Sequence, residues 1–216
     1  MSPAWLPLEA NPTVLQKYFR ELGGFEGIRF QDVFSTEEWA LDMVEGSTAA
    51  VVLLYPITKR SEQRRRSLVT TKSDAVWFSK QTVGNACGTM ALLHAAMNMS
   101  CACDGWLSRF KSDTETLDPV QRAKSIEADT RLEALHKSVE HEGQTAQVDE
   151  EVNEHFVTFV CRDGRLFELD GRNDGPVCHG VVREENLLKA AVDVVKREFI
   201  EQDPTQVRFA IIALVV

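Results

Sequence analysis

A single mixed α/β domain is what this sequence predicts, on three observations. Apolar, β-branched runs such as "TAAVVLLYPI" and "VRFAIIALVV" are interspersed with stretches of helical periodicity. Two more apolar runs flank an Asp-Gly pair in "HFVTFVCRDGRLFELD", a strong short-range signal for a β-hairpin. No repeat, low-complexity linker or compositional break divides the 216 residues, and 44% of them are hydrophobic, enough for one sizeable core. Residues 1–216 are therefore expected to form one α/β (α+β) unit, a central sheet flanked by helices.

The elements follow in order. After "LPLEANP", Asn11 is placed to cap a helix and Pro12 to take its first position; Val14, Leu15, Tyr18, Phe19 and Leu22 then recur at helical spacing until Gly23 and Gly24. "RFQDVFS" reads as a short extended piece, "TEEWALDMVEG" as a helix opened by a Thr36 cap, and "TAAVVLLYPI" as a buried strand. "TKRSEQRRRSLVTTKSD" has no period and reads as a solvated loop, the triplet Arg64 to Arg66 being its local peculiarity. "AVWFSKQTV" is a short apolar run. "NACGTMALLHAAMNM" then reads as a helix capped by Asn85, with Cys87 in its first turn. "DGWLSRF", "DPVQRAKSIEADTRLEALHKSVE" and "REENLLKAAVDVVKREFIEQ" are further helices. "VRFAIIALVV" is a central strand that ties the carboxyl end into the sheet.

Charge and cysteine usage narrow the function. With 24 basic against 33 acidic side chains the formal charge is -9, which argues against nucleic-acid binding and for water-soluble behaviour or a basic partner. The amino end lacks the charged start and apolar run of an export signal, and no segment approaches the roughly 20 apolar residues of a membrane helix. A monomer in the cytosol or nucleus is expected, without membrane contact. The five cysteines, Cys87, Cys101, Cys103, Cys161 and Cys178, lack the paired spacing of a disulfide scaffold or zinc ribbon and read as free thiols. A zinc site from Cys101, Cys103, Cys178 and His179 has no C-x-x-C pair to support it, and no metal or organic cofactor is expected.

Cys87 is the candidate nucleophile. A thiol becomes reactive as its thiolate, and the unpaired amides and positive dipole end of a helix start favour that form. Of the five histidines, His94 lies seven residues on, two turns or about 10 Å along the same helix, and reads as structural. His136 and His141 sit in or beside a polar stretch and read as solvated. His155 begins the strand "HFVTFV", and the hairpin returns to "FELDGR", so Asp170 can reach the imidazole and orient it. His179 is the reserve base. The Cys87 amide is one ready oxyanion donor, while position alone assigns no role to Gln81.

Five blocks in one order then identify a family. "LPLEANP", "KQTVGNACGT", "HEGQT", "NEHF" and "DGRLFELDGR" together resemble the small ubiquitin carboxyl-terminal hydrolases, cysteine deubiquitinases of the peptidase C12 type, nearly end to end. The resemblance implies Cys87 as nucleophile, His155 as base and acid, Asp170 as its orienter and Gln81 as an oxyanion donor. It implies a papain-like cysteine protease-related fold with a knotted topology, which the general scarcity of threaded chains would otherwise exclude. It also implies a loop over the active site containing His141, Glu142, Gly143 and Gln144. Contacts to ubiquitin are implied from Pro7, Leu8 and Glu9, from Asp32, and from the Gln206 to Ile211 segment, including Val207.

The activity so implied is thiol-dependent hydrolysis after the terminal glycine of ubiquitin, releasing small or unfolded adducts. A hydrolase for a ubiquitin-like modifier would share the same reacting groups. A protein that binds and stabilises ubiquitin with slow turnover is the non-catalytic alternative. The segment Thr58 to Asp74 matches no block of the resemblance.

Overall fold

The structure, a computed structural model, describes residues 5–100, 103–139 and 153–216. Six strands form one antiparallel sheet: β1 (Arg29–Asp32), β2 (Thr48–Pro56), β3 (Glu154–Arg162), β4 (Arg165–Leu169), β5 (Val177–Val181) and β6 (Ala210–Val215), in the order β1-β6-β2-β3-β4-β5. The carboxyl-terminal run is thus an inner strand, as its continuous apolar sequence predicts. Helices cover both faces. Val51, Leu53 and Tyr55 of β2 join Val157 and Phe159 of β3 in a core with α8 (Leu187–Val195), whereas Ala50, Val52, Phe156 and Val160 face the other core, with α1 (Pro12–Glu21) and α4 (Cys87–Asn98). Burial on both faces is why these strands show apolar runs and little alternation.

Several expected features are present. Asn11 caps α1, its side chain accepting from the amides of Thr13 and Val14, with Pro12 in the first turn. The β3–β4 hairpin turns through Asp163 and Gly164 with φ of 48° and 68°, both left-handed, as a two-residue Asp-Gly turn requires. Among the described residues no helix is long and apolar enough to cross a membrane.

Other elements differ from the sequence reading. The supposed loop after β2 contains the helix α3 (Lys59–Ser67), opened by a capping box in which Thr58 accepts from the Ser61 amide at 3.1 Å and Ser61 accepts from the Thr58 amide at 2.8 Å. It has no apolar face, so periodicity missed it; Arg64 and Arg65 are partnered by carboxylates instead. The short helix α2 (Glu38–Leu41) begins after Glu37, not at a Thr36 cap, and no side chain caps it. The single helix expected near Pro119 is two, α6 (Pro119–Ala128) and α7 (Thr130–Val139). They are divided at Asp129, whose carboxylate accepts from the Leu132 amide and from the Trp106 indole, each at 2.8 Å. Trp106 belongs to α5 (Gly105–Thr114). β5 was not legible, because its burial is partial and its run short. A π-turn, Lys196–Ile200, continues α8.

Candidate active site

α4 starts at Cys87. Its N-cap residue is Ala86, which offers no side-chain acceptor, so the first-turn amides are not consumed by a cap. Asn85, expected as the cap, is instead left-handed (φ 57°) and donates its amide to the Trp5 carbonyl at 3.0 Å. The helix thereby presents its dipole end to the thiol.

β3 and β4 bring the other two groups to the same place. The register pairs Thr158 with Leu169, so Asp170, one residue past β4, lies near the start of β3, where His155 sits. Asp170 Oδ1 is 2.7 Å from His155 Nε2. With Nε2 so engaged, Nδ1 is the ring nitrogen left for the Cys87 thiol, whose pKa His155 lowers. Cys87, His155 and Asp170 are 6%, 3% and 1% exposed, so their interactions take place in a low-dielectric setting.

The electrostatics of the three groups are coupled. Burial alone would push the Cys87 thiol up, but the hydrogen bond and charge of His155, with the amides of Phe156 and Gly88, bring it below its ordinary value. For His155, burial disfavours the imidazolium, yet the Asp170 charge and hydrogen bond outweigh burial and raise it. Asp170 is held well below the usual carboxylate range: burial opposes this, and His155 and Arg172 overcome it. The shifts favour a thiolate beside an imidazolium.

Around Asp170 lies a set of groups that spacing did not single out. The Arg172 amide donates to Oδ1 at 2.8 Å, while its guanidinium donates to Glu62 at 2.8 Å and to the Tyr55 hydroxyl at 2.6 Å. The arginine two residues after Asp170 in "LDGR" was the available signal; Glu62 and Tyr55 had none, since their proximity is tertiary. Gln81 is fixed by its backbone, its amide donating to the Gly171 carbonyl at 2.8 Å. Its side-chain NH2 has two protons, of which Val83 O takes one at 3.1 Å, and its buried Oε1 has no partner.

The remaining expected residues divide as follows. His94 is buried, bonds Ser79 and stacks on Phe78; burial lowers it to about 4, in keeping with a structural neutral imidazole. His136 is not solvated but fully buried in α7, between Thr89 Oγ1 at 2.9 Å and the Leu6 carbonyl at 2.7 Å. His179 is turned to Glu168, at 2.8 Å, on a cluster that also contains Glu198 and Arg64. Pro7 and Glu9 are half-buried and Val207 is 86% exposed, but Leu8 is 6% exposed and packs on Gly88, which leaves it little surface to offer a partner. Asp32 ends β1 beside β6. His141, Glu142, Gly143, Gln144 and Cys101 lie outside the described residues.

Residues 5–201 match the family model "Ubiquitin carboxyl-terminal hydrolase, family 1". The chain belongs to that family. By that membership it is a cysteine-type hydrolase, and the thiol-and-imidazole geometry above is of the kind such chemistry needs. Among relatives of the family, ubiquitin carboxyl-terminal hydrolase 3 of Arabidopsis thaliana is 40% identical over 223 residues, covering 99% of this chain and 94% of that protein. Ubiquitin carboxyl-terminal hydrolase isozyme L1 of Rattus norvegicus is 42% identical over 217 residues, covering 96% of each. The fold resembles that of the Trichinella spiralis UCH37 catalytic domain bound to ubiquitin vinyl methyl ester, with a TM-score of 0.82 at 23% identity, covering 99% of this chain and 96% of that one.

Proposed function

We propose that this chain hydrolyses the bond after the carboxyl-terminal glycine of ubiquitin, with Cys87 as nucleophile, His155 as base and acid, and Asp170 as the group that orients it. The observation that supports the roles is the 2.7 Å bond from His155 Nε2 to Asp170, which leaves Nδ1 for the thiol at the uncapped start of α4. The thiolate attacks the glycine carbonyl, His155 gives its proton to the leaving amine, and water released of a proton by the same imidazole then cleaves the thioester. The Cys87 amide and the Gln81 side chain hold the oxyanion. Ubiquitin as substrate is supported by family membership and by the ubiquitin vinyl methyl ester bound to the structurally similar Trichinella spiralis domain.

The test is a ubiquitin carrying a carboxyl-terminal electrophile. It is expected to label Cys87 alone among the five cysteines, and Cys87→Ala is expected to lose all hydrolysis of ubiquitin with a fluorogenic amide while still binding ubiquitin. An adduct mapped to Cys161 or Cys178, or turnover by the alanine variant, overturns the nucleophile. Faster turnover of another modifier in the same assay would move the substrate to a ubiquitin-like protein.

A further inference from the structure

The helix α3 brings to the sheet a second, partly buried charge cluster, centred on the buried Glu168, that the reaction, as described, does not use. Arg64 engages two carboxylates through all three guanidinium nitrogens: Nη1 and Nη2 donate to Glu168 at 2.9 and 2.5 Å, and Nε and Nη2 to Glu198 Oε2 at 3.2 and 2.7 Å. Glu168 is fully buried on β4 and also takes His179 Nε2 at 2.8 Å; Glu198, on the π-turn, is held by Arg197 and faces His179 Nδ1 at 3.6 Å. The Arg64 guanidinium lies over the Phe199 ring, 3.9 Å from its centre. Phe199 in turn meets Tyr55 at 4.9 Å between ring centres, and Tyr55 meets His155 edge-on at 5.9 Å.

A buried ion pair adds little net stability compared with apolar residues of the same shape; what it supplies is a fixed geometry. The geometry fixed here ends on the reacting groups by two routes. Glu168, on β4, lies two residues before Asp170, which follows the end of that strand by one residue. The ring series from Phe199 reaches the imidazole itself.

We propose that Arg64 is a positioning residue for the His155–Asp170 pair, fixing Asp170 through Glu168 along β4 and the His155 ring through Phe199 and Tyr55. The inference rests on the reading of Cys87, His155 and Asp170 as the reacting groups. Arg64 touches none of them and acts only through the groups it holds. Lysine cannot replace it, because a point charge cannot form the planar fork that joins both carboxylates.

The experiment compares wild type with Arg64→Met/Glu168→Gln, which removes the pair without stranding a buried charge, with Arg64→Lys, and with Phe199→Leu, which keeps the carboxylate pairs and breaks only the ring route. Each is measured for kcat and KM on ubiquitin with a fluorogenic amide, and for alkylation of Cys87 by iodoacetamide across pH. In the double variant and in Arg64→Lys, kcat is expected to fall roughly 10- to 100-fold with KM nearly constant, the pattern of a misplaced reacting group. The alkylation midpoint is expected to rise, as the thiolate loses a well-placed imidazolium. Phe199→Leu should show the same changes in smaller measure. A folded double variant with wild-type kcat and alkylation profile, or a lysine variant with wild-type kcat, overturns the proposal. If the double variant does not fold, Phe199→Leu decides, and wild-type behaviour there overturns it. Alkylation needs no ubiquitin, so a wild type that fails to hydrolyse the ubiquitin amide would remove the proposed substrate while this arm still tested Arg64.

Discussion

Gly171 lies so close to Gln81 that a β carbon on it would sit 2.8 Å from the Gln81 Cβ and 3.1 Å from its backbone nitrogen. The glycine here is a matter of space. It lets the loop leaving Asp170 press on the extended segment leading to Cys87, with the Gln81 amide bonded to the Gly171 carbonyl at 2.8 Å. Gly171→Ala must therefore separate the two segments, one carrying Asp170, the proposed orienting carboxylate, and the other the proposed oxyanion donor. We expect kcat to fall by roughly 10²-fold, since small misplacements of reacting groups cost that much. Thermal unfolding should show only a modest loss of stability. An alanine variant with wild-type kcat would mean that the close approach does not set the site.

Asp170→Asn removes an anion and leaves the shape. In the native protein the depressed Asp170 pKa contributes stability that is present above the unfolded value of about 3.9 and is lost as pH falls through the folded value. The raised His155 pKa works in the other sense: its contribution is present below about 6.5 and is lost as pH rises through the folded value. With asparagine at 170, His155 should titrate lower and Cys87 higher, so the active window in kcat/KM against pH narrows from both sides. The loss in kcat should approach the order of 10⁴ known for the same change in a serine triad. A pH profile with both limbs unmoved would show that Asp170 does not govern the imidazole.

The contact of His155 with Asp170 and the place of Cys87 at a helix start were legible because each of the three constraints behind them is local. A helix start sets the thiol, a strand start sets the imidazole, and one Asp-Gly turn sets the register that returns Asp170 to it. Arg64 and Glu62 were not legible for the opposite reason. α3 has no buried apolar residue, so its helix leaves no hydrophobic period, and the carboxylates that hold Arg64 stand 104 and 134 positions away. His136 was misread in the same way: its polar sequence neighbours conceal partners, Thr89 and Leu6, contributed by other segments. Capping at α4 failed as a local rule. Asn85 is the better cap by propensity, but its side chain is already committed to Trp5.

That commitment gives a stability test. Asn85 has φ of 57° and its side chain donates to the Trp5 carbonyl, while the Trp5 amide donates to Gly84 at 2.9 Å, so the amino-terminal segment is tied down beside the start of α4. Asn85→Gly keeps the left-handed backbone and loses one hydrogen bond, about 1 kcal/mol. Asn85→Ala loses the bond and adds the left-handed strain, roughly 1–2 kcal/mol more. Urea midpoints should therefore rank wild type, glycine, alanine. An alanine variant as stable as the glycine variant would place the cost in the hydrogen bond alone.

Substrate capture on the proposed reading follows from where charge and apolar surface lie at one edge of the sheet. β1 ends at Asp32, and the next amide, that of Val33, donates to Ile211 O at 2.8 Å, so the end of β1 and the entry to β6 are neighbours. Three residues before β6, Val207 is 86% exposed, and Phe34, just after β1, is exposed as well. A chain of formal charge -9 attracts a basic partner, and a carboxylate beside exposed apolar side chains can both steer it and seat it. On the proposed reading, Asp32→Lys should slow association of ubiquitin and leave dissociation nearly constant, and added salt should weaken wild-type binding as the screening length falls below about 10 Å. Val207→Ala should act on the other side of the balance, raising KM through faster dissociation with kcat unchanged. Stopped-flow binding at two ionic strengths separates the two effects. If association is insensitive both to salt and to Asp32→Lys, capture is apolar and the acidic balance of the chain serves solubility; if Val207→Ala leaves dissociation unchanged, the contact lies elsewhere on the sheet edge.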